Sequence, residues 1–318
     1  MRKAAPLSVL AALLAGALLV SCSSQQQPPS SGGKVLLGFN LKKGQVYKTY
    51  ATTDQTITQT VNGREQEIKQ SMGQHMACNV LDVDAEGAVT MKTTFERFTF
   101  KMQTPQGTIE YDSADPPANV PPAATGFHAL VGQGFTMKMT RSGKVKEIQG
   151  VNEMFDHMMK KIQLPAAQKE AMGKMLKEQF GERAMNELWE KSMTLFPDRP
   201  VGVGDSWSSK VSVTRGMPMV LENVWRLKEI KKDSAVIEME TSIDPNPSAE
   251  PMVMGPQKIT YALSGKQSGT IEVDLETGWA KSGRLHQEIS GDLTIEVGGE
   301  KKIVPLSVKS EIVMGSEK

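Results

Sequence analysis

Across most of this chain apolar and polar residues alternate one for one, and the alternation gives way in a single place. A period of two turns one face of a strand toward a core and the other toward water. Between Val151 and Phe196 the period becomes that of a helix. Met154, Phe155, Met158, Met159 and Ile162 form one stripe, Met172, Met175, Leu176 and Phe180 a second, and Met185, Leu188, Trp189 and Met193 a third. Strands on both sides of one helical segment restrict the chain to a mainly β architecture of the α+β class. The expectation is a curved antiparallel sheet or incomplete barrel, built from two related halves, with helices at about 151–196 packed on it.

The strand pattern is specific in several places. The Thr-rich run Gln45–Val61 ends at Asn62-Gly63, a strong hairpin signal. The return strand puts Ile68, Met72, Met76, Cys78 and Val80 on one face, and Asp84–Gly87 forms the next turn. Val89, Met91 and Phe95 then face inward. Beyond Arg97 the phase flips to Phe98, Phe100 and Met102, which predicts a bulge. Asp112–Gly126 reads as a Pro-rich loop, Gly134–Thr140 and Lys144–Gln149 as strands. Pro165 suits the first turn of a helix and Gly181 its C-terminal cap. After Pro197 and Pro200, strands follow near Val220–Ile230 and Ala235–Ile243, then a second Pro-rich loop from Asp244 to Pro256. A closing hairpin about Gly298-Gly299 turns Leu293, Ile295 and Val297 inward on one arm and Leu306, Val308 and Ile312 on the other.

The second half echoes the first. Gly204-Asp205-Ser206-Trp207 follows the pattern of Gly44-Gln45-Val46-Tyr47, and Thr277-Gly278-Trp279-Ala280-Lys281 that of Ser142-Gly143-Lys144-Val145-Lys146. An internal duplication accounts for this, although aligning Gly134 with Gly269 sets Phe135 opposite Thr270 and slips the apolar phase by one. The expected division is a first β-rich half over 35–150, a helical segment over 151–196 and a second β-rich half over 197–318, together one compact domain.

Residues 1–21 read as a targeting segment. Arg2 and Lys3 precede an apolar run, Leu7–Val20, too short to span a bilayer as a stable helix. Leu19-Val20-Ser21-Cys22 resembles the bacterial lipobox. The resemblance implies cleavage between Ser21 and Cys22, diacylglycerol on the Cys22 sulfur and an acyl chain (palmitate or similar) on its new amino group. Each buried methylene contributes about 0.8 kcal/mol, so two or three chains hold a protein firmly where one does not. Ser23, where an Asp would favour inner-membrane retention, implies the outer membrane in a cell that has two. Residues 22–34, rich in Ser, Gln, Pro and Gly, read as a disordered tether. With Cys22 lipidated, Cys78 has no partner in the chain. The G-x-x-(Tyr/Trp) openings and T/S-G-x-x-K turns behind a lipobox resemble a family of uncharacterised bacterial lipoproteins defined only as a domain of unknown function. The layout is also similar to lipoprotein carriers of the LolA type, whose incomplete barrels wrap helices and hold acyl chains.

Chemistry is sparse. A formal net charge of +1 without a basic stripe argues against nucleic acid as a partner. His75 and Cys78, three apart on a strand, face opposite sides and cannot share a metal without a bulge. His157, His286 and the Glu238/Glu240 pair read as solvated, and no nucleophile elbow, zinc-protease or phosphate-loop motif occurs. The expectation is a non-enzymatic protein with no cofactor and no metal. The 20 Met residues suit an adaptable apolar surface as well as a plain core. Two readings follow. In the first, Met154, Phe155, Met158, Met159, Ile162, Met172, Met175, Leu176, Phe180, Met185, Leu188 and Trp189 line a cavity for a lipid or other hydrophobic ligand. In the second, the same residues fill a core, and the surface serves a protein partner in the cell envelope.

Overall fold

A computed structural model describes residues 33–317, apart from 62, 106, 187–194, 215–217, 249, 250, 255 and 256. The strands are β1 (Val46–Val61), β2 (Arg64–Val83), β3 (Val89–Thr104), β4 (Gly107–Asp112), β5 (Gly134–Met139), β6 (Val145–Gln149), β7 (Ser206–Val213), β8 (Met219–Ile230), β9 (Ser234–Pro245), β10 (Met252–Met254), β11 (Gln257–Asp274), β12 (Ala280–Val297) and β13 (Glu300–Ser316). Among the described residues the helices are α1 (Thr125–Leu130), α2 (Val151–Lys161) and α3 (Ala166–Phe180), and residues 182–186 are helical as well. The strands make one sheet in the order β6-β5-β3-β2-β1-β13-β12-β11-β9-β8-β7, with β4 added on β3 and β10 on β11. Every named pairing is antiparallel, and among the described residues β6 and β7 end the sheet without meeting.

The sheet curls strongly enough for its two sides to share a core. Ile57, Ile68, Phe98 and Phe100 of β1–β3 fall in one apolar cluster with Val211, Leu221 and Ile243 of β7–β9. Trp207, Trp225, Ile237 and Leu285 anchor a second cluster, and Cys78, Val80, Val89, Met91 and Ile148 a third. Residues 35–41 tie the second and third together at one end of the curl. Leu37 belongs to one and Leu41 to the other. The Phe39 amide donates to the Arg141 carbonyl at 2.7 Å and the Asn40 amide to Thr277 at 2.9 Å, so this segment bridges a turn from each half.

The phase flip in β3 is a bulge. His75 lies opposite Arg97 but Met76 lies opposite Phe95, leaving Glu96 as the extra residue. Four details differ from the sequence reading. The first Pro-rich stretch follows a strand, β4, and itself contains a 3-10 turn at Pro122–Ala124 and the start of α1. The second contains β10; three residues between prolines carry too little alternation to read as a strand. Val297 is exposed rather than inward, because it sits at the hairpin tip beyond the reach of the core. Gly181 ends α3 with φ −73°, not in the left-handed conformation. Its role is clearance: a Cβ there would collide with the Lys177 carbonyl and the Asn152 side chain of α2.

No helix among the described residues is long and apolar enough to cross a membrane. The edge strand β6 is covered by a side chain. Asn186 accepts from the Ile148 amide at 2.8 Å and donates to the Ile148 carbonyl at 3.1 Å, so one amide stands in for a neighbouring strand.

Candidate functional site

The inner face of the sheet carries three consecutive cross-strand rows with different chemistry. One row is Ile68, Ile57, Val308, Ile289, Gly265, Ile243, Leu221 and Val211. Two residues along each strand lies the next: Gln70, Gln55, Ser310, Gln287, Gln267, Thr241, Asn223 and Ser209, each directly opposite its neighbour. Two further on, Met72, Thr53, Ile312, Leu285, Gly269, Met239, Trp225 and Trp207 return to a mainly apolar character. Every member of the middle row is buried, and none is ionisable. Gln267 stands between two inward glycines. A Cβ at Gly265 would collide with the Glu288 carbonyl and one at Gly269 with that of Arg284, so the tight approach of β11 to β12 excludes larger residues.

The row satisfies itself over most of its length. Ser209 Oγ accepts from Asn223 Nδ2 at 3.2 Å, and Thr241 Oγ1 donates to Asn223 Oδ1 at 2.7 Å. Gln287 Nε2 donates to Gln267 Oε1 at 2.9 Å, and Gln55 Nε2 to Ser310 Oγ at 3.0 Å. Satisfaction fails at the other end. Among the described residues neither Gln70 Nε2, Gln70 Oε1 nor Gln55 Oε1 has a partner, although Gln70 is 3% and Gln55 4% exposed. Buried polar groups are almost always bonded, and an orphan costs about 1–3 kcal/mol.

The helices meet this interior at its open side. Met154 packs with Cys78, Val80, Val89 and Met91, and Met185 borders the same cluster. Met158, Met159 and Leu176 form a small separate cluster with Ala129, edged by Phe155, Ile162, Met172, Met175 and Phe180. Thus ten of the twelve expected lining residues come together around α2 and α3. The other two, Leu188 and Trp189, and the expected lipidation and cleavage residues Cys22 and Ser21, lie outside the described residues. Leu130 borders three of the four clusters, and Phe127 stacks near Phe98 and Phe100 at 5.6 and 5.5 Å between centroids. Packed apolar side chains are therefore continuous from the helices to Met102, which faces Gln70 across β2 and β3.

The sequence reading passed over the polar row. It assigned the inner face of β2 to its apolar members, and Gln70 sits in phase with them. His75 and Cys78 have different surroundings. His75 pairs with Glu317 on the outer face, while the Cys78 thiol is raised in pKa by burial. Burial also pushes the Tyr261 phenol up to about 12, and its hydroxyl donates to Met252 Sδ of β10 at 3.8 Å. A cavity of about 520 Å³ lies across the central strands; it is lined by the outward residues Asp54, Lys69, Lys101, His286, Glu288 and Lys309 and is bordered by Gln55, Gln70, Gln287 and Ser310 of the row itself.

Residues 86–280, more than half of the chain, match a family described as a family of unknown function, DUF6263. The chain belongs to that family. No curated protein matches this DUF6263 chain. Among solved structures it is similar to a chain reported under lipid–protein interactions in lipovitellin, at 9% identity and a TM-score of 0.47. That match covers 87% of this chain and 25% of the lipovitellin chain, so the DUF6263 chain spans about a quarter of it. DynF, from the dynemicin biosynthesis pathway of Micromonospora chersina, matches at 6% identity and a TM-score of 0.22, covering 94% of this chain and 96% of that one. Pseudomonas aeruginosa OccK5 matches at 8% and 0.21, covering 88% and 100%. Likenesses this weak carry neither a shared fold nor a shared function.

Proposed function

We propose that this protein is a lipid-anchored, non-catalytic lipoprotein of the cell envelope that holds an apolar ligand inside its curled sheet, with α3 as the movable cover. The observation that carries the reading is the poor burial of α3. Of its fifteen residues only Leu176 is buried, while Met172, Met175 and Phe180 stay half-exposed over an apolar interior. Unbranched Met side chains adapt to a guest more readily than a rigid core does. Lipid on Cys22 and the tether of 22–34 would keep the body beside a bilayer, the source of such a ligand, in the outer membrane where the cell has two. The two-halves reading fits a single curled wall whose helices lie between its sides.

The test is extraction of the full chain from its native membranes, followed by mass spectrometry of the intact protein under non-denaturing conditions. Added mass from lipid beyond that bonded to Cys22 is expected. A homogeneous species carrying only the covalent anchor, and failure to bind a fluorescent fatty acid, would refute the reading.

A second reading, a protein-interaction lipoprotein, is favoured by the cavity across the central strands. Its lining is polar and charged, which suits the rim chemistry of a protein contact rather than a lipid. Cross-linking in intact cells separates the two: a reproducible protein adduct through Lys69, Lys101 or Lys309 supports the second reading, and lipid adducts near α3 support the first.

A further inference from the structure

We infer that the Gln70–Gln55 end of the buried row is a head-group site, and that the ligand is an amphiphile with a long apolar chain and an uncharged hydroxyl- or amide-bearing end. The inference rests on the interior-binding reading above and specifies its ligand. Three orphaned amide atoms lie together, because Gln70 and Gln55 are directly opposite on β2 and β1. If Gln70 Nε2 turns to donate to Gln55 Oε1, Gln70 Oε1 still lacks a donor. If it does not, one donor and two acceptors stand open. In both cases the guest must bring a hydrogen-bond donor, and a group that also accepts satisfies more of the site. Hydroxyls and amides do both.

The surroundings exclude a charged end. The row contains no ionisable side chain, and the apolar rows on either side offer nothing to neutralise a carboxylate, phosphate or ammonium. Asp54, Lys69 and Lys309 border the same cavity as Gln55, Gln70 and Ser310, but alternation along β1, β2 and β13 turns their side chains to the opposite face of the sheet. The apolar chain has matching surroundings as well. From Gln70 packed apolar side chains run through Met102 and Phe100 to Phe127 and on to the helical cluster, so a head group at the row leaves its tail among them, toward α3.

The full chain, delipidated and held in amphipol, is loaded with the fluorescent apolar probe 1-aminoanthracene. Displacement is then compared for 1-monooleoylglycerol, oleate and octadecene. Two or more neutral hydrogen bonds in a dry site predict a preference for monooleoylglycerol of about tenfold over each competitor. Gln70→Leu should bring the ratio to near one, and should melt no lower than the native chain, since it removes an orphan and keeps the volume. Equal displacement by all three competitors overturns the head-group assignment and leaves interior binding standing. A preference that survives Gln70→Leu also overturns it, and means that the row holds water alone. A chain that takes up no probe overturns both this inference and the reading on which it rests.

Discussion

The helices α2 and α3 are joined by four residues and resemble each other in composition, yet they sit on the protein differently. The first buries Val151, Met154, Met158 and Met159, and reaches two apolar clusters; the second buries one residue. They pack side by side, with Gly173 of α3 against Met159 and Gly181 against Asn152. Beyond α3 the chain is fixed again: Glu182 accepts from the Gly150 amide at 2.5 Å, and Asn186 holds β6. A poorly buried segment between two fixed ends can open without unfolding its neighbours. The difference separates wall from cover, and burial pattern distinguishes them where composition does not.

The sharpest way to break that comparison is a pair of truncations. Met154→Ala should destabilise by about 3 kcal/mol, because its cavity lies in a rigid wall. Leu176→Ala should cost about 1 kcal/mol, since a loosely held helix can settle into the space. Equal losses in chemical denaturation would remove the distinction. Next in size is Asn186→Ala, expected to cost about 2 kcal/mol, because it leaves the Ile148 amide and carbonyl on β6 without their side-chain partner. Hydrogen exchange should then speed up at β6 and leave α3 unchanged.

Alkaline pH tests the cover's underside. Tyr261 bonds to Met252 of β10, which α3 touches, and burial holds its phenol neutral up to about 12 against an ordinary 10. An unfolded chain ionises at the lower value, so this group favours the folded state below pH 10 and loses its contribution as pH rises toward 12. Thermal melts should therefore fall in that window, and Tyr261→Phe should flatten the part due to this residue. The smallest effect is expected at the ion pair between Lys177 and Asp156, 2.7 Å apart on the solvent side. Lys177→Ala should change stability by less than about 0.5 kcal/mol, and a larger loss would mean that α3 is held more firmly than its burial indicates.

Much of the fold was legible in residues. The two-residue period located the long strands, and the flip from Phe95 to Phe98 located the bulge at Glu96. Short strands were hidden, because Met252–Met254 is too brief to alternate. Gly181 was misread because a glycine chosen for clearance looks the same in sequence as one chosen for a left-handed cap. The polar row was half-visible. Gln70 and Gln287 each break an apolar phase set by Ile68 and by Leu285 and Ile289, and that mismatch was a signal. In β1 the signal is lost, because polar residues occupy both faces of Thr52–Gln59: Thr53, Gln55 and Gln59 inward, Thr52, Asp54, Thr56 and Thr58 outward. Nothing in one strand announces that eight such residues come into register, since register belongs to the sheet.

The central claim, that α3 is a cover over an interior that takes a guest, is tested most directly by native-state hydrogen exchange on the full chain with and without monooleoylglycerol. The account predicts fast exchange in Ala166–Phe180 and slow exchange in Val151–Lys161 before the guest is added, with α3 slowed selectively afterwards. Equal protection of the two helices in the free protein, unchanged by the guest, would contradict it.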